Sequence, residues 1–241
     1  MRIIVLDNYE EMSKKAALMI TSQVMLKPSS VLGLATGDTP LGMYNELIKL
    51  YKKDQVDFKE VKTFNLDEYY GLKRDDSQSY YNYMINNLFN SINIDIENIN
   101  IPDGMATDVK ASCAEYEDKI KEFGGIDMQV LGIGTNGHIG FNEPDINFEA
   151  VTHLVNLDAQ TIEANSRFFG SRNDVPVKAI SMGIKTIMNS KKIILLASGL
   201  GKAEAIQSAL KGKINPNIPA SILQLHNDVT VIIDKKAASN L

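Results

Sequence analysis

Residues 127–144 read DMQVLGIGTNGHIGFNEP, in which a buried-strand pattern passes directly into a glycine-rich loop. The strand pattern covers the first five residues, and the loop carries Asn136, His138 and Glu143 close together. Glycines permit backbone conformations with positive φ and let a ligand approach the main chain. An imidazole flanked by an amide and a carboxylate in such a loop can transfer protons at neutral pH. The segment therefore predicts a catalytic loop at the end of a buried strand.

Two other interpretations of this loop are possible. Gly132, Gly134 and Gly137 spell the G-x-G-x-x-G of dinucleotide-binding sites, and Asp158 follows at about the spacing that such sites use. That site requires the last glycine to open a long helix, whereas Pro144 disfavours a helix just after this loop. A lone histidine in a loop is usually structural, but the Asn-x-His-x4-Glu grouping favours catalysis.

The composition is that of an ordinary globular protein, with 241 residues, 44% of them hydrophobic and 23% charged. A net charge of −5 argues against a nucleic-acid partner, although a few local cations can still bind a small anion. Cys113 is the only cysteine, which fits a reducing compartment, and its helical setting predicts an inert thiol. The N-terminus shows no signal-peptide or membrane-span pattern, so we expect a cytoplasmic protein without a membrane partner.

Short runs rich in Val, Ile and Leu recur along the chain, and most are continuously apolar, as in strands buried on both faces. Amphipathic helical patterns lie between them, which predicts a parallel sheet covered on both sides and one α/β domain over residues 1–241. We expect the Tyr- and Asn-rich segment Asp67–Gly104 to pass over the strand ends. The predicted strands are Ile3–Leu6, Val31–Leu34, Val61–Leu66, Met128–Leu131, Ile193–Ala197 and Val229–Ile233. The predicted helices are Tyr9–Leu26, Leu41–Lys52, Val109–Phe123 and Lys202–Leu210.

The turn after the second predicted strand reads GLATGDTP over residues 33–40. Thr39 as a cap and Pro40 in the first turn predict the start of a helix. The hydroxyls of Thr36 and Thr39, with free N–H groups near Gly37, form a natural phosphate cradle. No Gly-Lys-Ser/Thr follows, so nucleoside triphosphate binding is not supported. An ordinary strand-to-helix turn is an equally good interpretation of this segment taken alone.

Asp67 and Glu68 stand side by side in FNLDEYY, at the end of the third predicted strand. In a strand they would face opposite ways, so one can enter a cleft while the other supports it or faces solvent. Apolar, aromatic surroundings raise the pKa of a carboxyl group and suit it to act as a general base. A solvated acidic turn is the alternative.

Two cations are candidates for an anion site: Arg167 in ANSRFF and Lys202 in SGLGK, where the fifth long strand gives way to a helix. Either can instead be a solvated surface cation, which is the commoner fate of these residues. His153 and His226 have no convergent polar neighbours in sequence, and we expect both to be structural. No set of residues has metal-ligand spacing, so we expect no metal. No Ser or Cys stands in the sequence pattern of a nucleophile elbow.

Four motifs, GLATGDTP, FNLDEY, GIGTNGHIGFNEP and ANSRFF, in this order, resemble the glucosamine-6-phosphate deaminase family. The resemblance runs from the first predicted strand to the last. It implies a three-layer α/β/α sandwich with a Rossmann-like, mostly parallel sheet. It also implies a hydrolase of amino sugar catabolism that converts glucosamine 6-phosphate and water to fructose 6-phosphate and ammonia. The imine and enamine tautomers of the substrate would carry the electrons, so no cofactor is implied.

The resemblance also implies a role for each matching residue. Asp67 would be the base that takes the C2 proton of the open-chain sugar and returns it at C1. His138 would move protons during ring opening, oriented by Glu143 and Asn136. The 6-phosphate would be held by Thr36, Gly37, Asp38, Thr39, Arg167 and Lys202.

The chain departs from the family pattern in two respects. Several members have Asp where this chain has Asn136, and an amide can position His138 but cannot stabilise its cation by charge. Larger hexameric members are activated by N-acetylglucosamine 6-phosphate through basic residues after the NEP element and a longer C-terminus. Residues 144–166 here contain no Lys or Arg, and the chain ends soon after its last predicted strand. We therefore expect a monomer or small homo-oligomer without this activation.

Two rival functions remain to be weighed against the deaminase. A 6-phosphogluconolactonase has a similar phosphate loop and a Gly-x-x-Gly-His element, yet it hydrolyses an ester and needs no C2 base. FNLDEY together with GFNEP therefore favours the deaminase. A transcriptional regulator that senses sugar phosphates would need a DNA-binding module, and no helix-turn-helix precedes the first predicted strand.

Overall fold

The computed structural model describes residues 1–241, which form ten β-strands and seven α-helices. The strands are β1 Arg2–Leu6, β2 Val31–Leu34, β3 Lys62–Asn65, β4 Asp67–Tyr69, β5 Ile99–Asn100, β6 Met128–Leu131, β7 His153–Asn156, β8 Lys178–Ser181, β9 Ile193–Ala197 and β10 Val229–Asp234. The helices are α1 Tyr9–Leu26, α2 Asp38–Tyr51, α3 Tyr80–Asn87, α4 Val109–Glu122, α5 Ala159–Phe169, α6 Ile184–Met188 and α7 Ala203–Lys211.

Seven strands form one sheet in the order β1-β10-β9-β6-β2-β3-β5, and every neighbouring pair in it is parallel. From β2 the chain builds outward through β3 to β5, and from β6 it builds the other way through β9 and β10. The strand order therefore reverses between β2 and β6. In open parallel sheets, ligands bind outside the carboxyl ends of the strands at such a reversal.

Helices cover both faces of this sheet, which confirms the expected three-layer α/β/α sandwich. Side chains of α1, α2 and α3 form one buried cluster of 22 residues with one face of the sheet. Side chains of α4, α6 and α7 form a second cluster of 25 residues with the other face. The central strands are therefore buried on both sides, as β9 and β10 show along their whole lengths.

A second, three-stranded antiparallel sheet in the order β4-β8-β7 was not foreseen in the sequence. It places Asp67 opposite Ser181 and His153 opposite the same serine. Its strands contain only three or four residues, too few for an alternating pattern to be recognised. The expectation that Asp67–Gly104 only passes over the strand ends is wrong, because Ile99–Asn100 returns to the main sheet as its edge strand.

Two helix starts show how local chemistry sets the element boundaries. Asn8 caps α1, and its side-chain oxygen accepts a hydrogen bond from the N–H of Glu11 at 3.0 Å. The expected cap at Thr39 is wrong, because α2 begins at Asp38, two residues before the start that this cap predicts, and its cap position is Gly37, with no side-chain cap. The first turn of α2 thus leaves N–H groups free to bind other acceptors.

No helix has the length and apolar character that crossing a membrane requires.

Candidate active site

A cavity of about 400 Å³ opens where β2, β3, β6 and β9 end, beside the reversal of strand order. It brings together all of the predicted site residues except Glu143, which lies behind His138. Acidic, basic and hydroxyl side chains from distant parts of the chain therefore meet in one space. Its predicted members are Thr36, Gly37, Asp38, Thr39, Asp67, Asn136, His138, Arg167 and Lys202.

His138 is held by a short chain of polar contacts within its own loop. Its Nδ1 lies 3.0 Å from Oε2 of Glu143, and the same oxygen accepts a hydrogen bond from Nδ2 of Asn136 at 2.9 Å. The backbone N–H of His138 donates to Oδ1 of Asn136 at 3.2 Å. Asn136 thus orients the imidazole through Glu143 and through the main chain, and it makes no hydrogen bond to the ring itself.

The ionisation of Glu143 fixes the tautomer of His138. Burial opposes ionisation of Glu143, but the hydrogen bond and charge of His138, aided by Thr161 and Asn136, hold the pKa of Glu143 below its usual range. An ionised carboxylate can only accept hydrogen bonds. Nδ1 of His138 therefore carries the proton, and Nε2 is the ring nitrogen with a free lone pair.

Two glycines of this loop are required by the close packing of the site. A Cβ at Gly134 would lie 2.4 Å from Cε1 of His138, so a side chain there would displace the imidazole. Gly140 has φ of +58°, and a Cβ there would lie 3.1 Å from Oγ of Ser181 and 3.6 Å from Oδ2 of Asp67. The glycine-rich sequence therefore lets the histidine loop approach the carboxylate of Asp67 in β4.

Asp67 lines the cavity but is almost completely buried, with 6% of its surface exposed. Its carboxylate accepts no hydrogen bond from any side chain or N–H group among residues 1–241. Burial, with a smaller contribution from the neighbouring charge of Glu68, raises the pKa of Asp67 to about 8. A carboxyl group in this state gains and loses its proton near pH 8, so its ionised form can act as a base in that range.

The expectation that Asp67 and Glu68 face opposite ways is confirmed. Glu68 does not line the cavity, and its carboxylate accepts hydrogen bonds from the N–H groups of Tyr69, Tyr80 and Tyr81 at 2.8 to 2.9 Å. One carboxylate of the pair therefore enters the cleft while its neighbour is held in the protein.

Two cations converge on the cavity beside the first turn of α2. Nζ of Lys202 donates to the carbonyl oxygen of Ile133 at 2.7 Å, and burial, together with the charge of Arg167, lowers the pKa of Lys202. Nη2 of Arg167 lies 2.6 Å from Oδ2 of Asp38. The carboxylate of Asp38 is therefore paired with the guanidinium of Arg167. At Asp38 itself, only the main-chain N–H group can bind a phosphate.

Several cavity residues were not identified from the sequence. Tyr80 stacks on Phe141 with ring centroids 6.0 Å apart and planes 12° apart, so the two rings form an aromatic wall. Thr161 and Asn165 reach the cavity from α5, and Nδ2 of Asn165 donates to the hydroxyl of Tyr69 at 2.9 Å. The clustering of tyrosines after FNLDEY was the one available signal, but it does not say which ring faces the site.

The remaining histidines and the cysteine lie outside this cavity. His226 bridges the carbonyl of Ser190 at 2.7 Å and the N–H of Asp228 at 3.0 Å, which confirms its structural role. Nδ1 of His153 lies 3.0 Å from the carbonyl of Val151. Cys113 is buried, and burial raises the pKa of its thiol, as expected for an inert cysteine. No group of three or more His, Cys, Asp or Glu side chains is arranged to hold a metal ion.

Comparison with known proteins gives concordant matches over the whole chain. The family described as glucosamine-6-phosphate isomerases/6-phosphogluconolactonase matches residues 7–232. A Clostridium botulinum (strain Langeland) protein named glucosamine-6-phosphate deaminase is 70% identical over 241 residues, all of this chain and 99% of that protein. The structure of a monomeric glucosamine-6-phosphate deaminase has a TM-score of 0.98 at 48% identity and covers all of both chains. A 6-phosphogluconolactonase from Trypanosoma cruzi has a TM-score of 0.78 at 21% identity over 100% of this chain and 96% of that one, a likeness of fold alone.

Proposed function

The chain belongs to the family of glucosamine-6-phosphate isomerases and 6-phosphogluconolactonases, and we propose that it acts as a glucosamine-6-phosphate deaminase. The enzyme converts glucosamine 6-phosphate and water to fructose 6-phosphate and ammonia. The observation that carries this assignment is a single cavity with a buried carboxylate, an oriented imidazole and two cations. An aldose-to-ketose rearrangement of a phosphorylated amino sugar needs a carbon base, a proton shuttle and an anion cradle. The full-length similarity to named deaminases at 70% identity supports the same conclusion.

Ring opening is the step that the His138–Glu143 pair serves. Nε2 of His138 takes the proton from the anomeric hydroxyl and delivers it to the ring oxygen, so that the C1–O5 bond breaks and an open-chain aldehyde forms. Glu143 holds Nδ1 and stabilises the imidazolium while it carries the extra proton. Asn136, as a neutral amide, keeps Glu143 in place without adding a second negative charge.

Proton transfer from C2 to C1 is the step assigned to Asp67. The carboxylate takes the C2 proton, and the electron pair forms the C1–C2 double bond of an enolamine while O1 takes the proton that the C2 ammonium group gives up. The same carboxyl group returns the proton to C1, which leaves a double bond between C2 and nitrogen. Water then adds at C2, ammonia leaves, and fructose 6-phosphate remains. A pKa near 8 suits a group that must both accept and return a proton.

We assign the 6-phosphate to the cations and the N–H donors that line the cavity. Lys202 and Arg167 supply the positive charge, and the first turn of α2 supplies free N–H groups at the positive end of the helix. Thr36 and Thr39 add hydroxyl donors. Binding the phosphate at this end fixes the distance at which C1 and C2 meet Asp67.

The enzyme is assigned as a monomer or small homo-oligomer without activation by N-acetylglucosamine 6-phosphate. Glu143 also lines a second cavity of about 290 Å³, whose other charged residues include Asp145 and Glu149 and no Lys or Arg. A phosphate dianion requires permanent cations, and this cavity offers none. The similarity to a monomeric deaminase supports the small assembly.

One assay tests the proposed function directly. The protein is incubated with glucosamine 6-phosphate, and ammonia and fructose 6-phosphate are measured together in the same samples. We expect the two products in equal amounts, and no hydrolysis of 6-phosphogluconolactone above the spontaneous rate. Lactone hydrolysis without ammonia release from the amino sugar would assign the chain to the other activity of its family.

A further inference from the structure

Glu68 is a buried carboxylate that is held by three main-chain N–H groups. Only 3% of its surface is exposed. Oε1 accepts from the N–H groups of Tyr69 at 2.8 Å and Tyr80 at 2.9 Å, and Oε2 accepts from Tyr81 at 2.9 Å. Two of these N–H groups belong to the first turn of α3, whose cap, Ser79, accepts from Asn82 at 3.0 Å. Glu68 therefore anchors the start of α3 to the strand that carries the base.

The helix that Glu68 anchors contacts the cavity at two places. Tyr80, its first residue, forms the aromatic wall with Phe141. One turn later, the hydroxyl of Tyr83 donates to the carbonyl oxygen of Gly37 at 2.7 Å, inside the loop assigned to the phosphate. A displacement of the start of α3 would therefore move both the wall beside Asp67 and the phosphate loop.

We propose that Glu68 is a positioning residue with two effects. It sets the electrostatic surroundings of Asp67, and through α3 it holds the phosphate loop at a fixed position relative to this base. The inference rests on the proposed function, in which Asp67 is the base and the Gly37 loop binds the phosphate. Glu68 itself does not touch the substrate, because it lies on the opposite side of its strand from the cavity.

The groups around Asp67 make Glu68 its dominant charged neighbour. Tyrosines approach Asp67 from its own strand and from α2, α3 and α4, and burial raises the pKa of each of them, so they are neutral near pH 8. These are Tyr44, Tyr69, Tyr80 and Tyr116. His138, Arg167 and Lys202 line the same cavity. Burial also raises the pKa of Glu68, while its three N–H donors and the charge of Arg74 oppose that rise.

The test compares Glu68→Gln with Glu117→Gln in the full-length enzyme. Glu117 is a matched control, since it is 9% exposed and accepts three hydrogen bonds, from the N–H and hydroxyl of Thr152 and the hydroxyl of Thr186, away from the cavity. Removing the charge beside Asp67 should move the acidic limb of the pH profile of kcat/KM down by about one pH unit. Glu117→Gln should lower thermal stability and leave that limb in place. An unmoved limb in Glu68→Gln would overturn the electrostatic part of the proposal.

A second pair of variants tests the connection through α3 even if Glu68→Gln does not fold. Tyr83→Phe removes only the hydroxyl that holds Gly37, and Tyr81→Phe is its control on the same helix, since the Tyr81 hydroxyl makes no hydrogen bond. We expect Tyr83→Phe to raise KM about three- to tenfold, with the pH profile unchanged. An unchanged KM would overturn the coupling. Failure of the proposed function is distinguishable, because then the wild type itself would release no ammonia from glucosamine 6-phosphate.

Discussion

Replacement of Asp67 by asparagine should abolish turnover and, at the same time, stabilise the fold. The carboxamide keeps the size of the side chain but cannot accept the C2 proton, and such a loss costs roughly 10²- to 10⁴-fold in rate. Burial raises the pKa of Asp67 from 3.8 to about 8. Because one pKa unit corresponds to about 1.4 kcal/mol, the ionised form is destabilised in the folded protein by roughly 6 kcal/mol. Asparagine removes this cost.

The sign of the effect defines a pH window. Below about pH 4 the carboxyl group is neutral in both the folded and the unfolded protein, so the wild type has no penalty. As the pH rises from about 4 to 8, the unfolded chain ionises and the folded one does not, so wild-type stability falls relative to the variant. Above about pH 8 the difference reaches its full value and stays constant.

Urea or thermal unfolding of both proteins between pH 5 and 9 measures this difference. The advantage of Asp67→Asn should grow with pH up to about 8, at roughly 2–4 °C in Tm for each kcal/mol. Asp127→Asn is the control, because Asp127 is 3% exposed but is paired with Lys27 and Lys191. Burial opposes the ionisation of Asp127, yet these partners hold its pKa below the usual range, so that variant should be less stable at every pH tested. Parallel stability curves for the wild type and Asp67→Asn would refute the reasoning.

Four further expectations follow from the site. His138→Gln should lower turnover by roughly 10²- to 10⁴-fold, since an amide cannot shuttle a proton, and near-native turnover would return His138 to a structural role. Asp38→Asn should lower KM about two- to tenfold, because the Asp38 carboxylate competes with the substrate phosphate for Arg167. The control Asp7→Asn removes the acid of an exposed pair with Lys235 and should leave KM unchanged. A raised KM would instead make Asp38 a support for Arg167. EDTA should leave activity unchanged, and loss restored by a divalent ion would contradict the assigned mechanism. Rate curves should be hyperbolic with or without N-acetylglucosamine 6-phosphate, whereas a sigmoidal curve that the compound makes hyperbolic would show an effector site.

The long elements of the fold were predictable because their patterns are long and apolar. The predicted strand Met128–Leu131 and the predicted helix Tyr9–Leu26 agree with the structure at both ends. The small sheet was not predictable, since β4, β7 and β8 become strands by pairing with one another across distant parts of the chain. Local sequence carries no record of such partners.

The same distinction applies to the candidate site. His138 and Glu143 were predicted together because they lie in one loop, and their contact depends on that loop alone. The charge pair between Asp38 and Arg167 joins residues 129 positions apart, and only the tertiary fold brings them together. The hydrogen bonds of Glu68 to the first N–H groups of α3 were hidden for a related reason, because the residues that bind a helix start are usually recognised just before the helix.

The central claim is that Asp67 carries the C2 proton of the substrate, and isotope exchange at C2 tests it most directly. Glucosamine 6-phosphate labelled with deuterium at C2 is incubated with the wild type and with Asp67→Asn, at concentrations where both bind the sugar. We predict that the wild type removes the label from C2, moving it to C1 of fructose 6-phosphate or losing it to water, and that the variant leaves it in place. Removal of the label by the variant would contradict the claim and show that a group other than Asp67 takes the C2 proton.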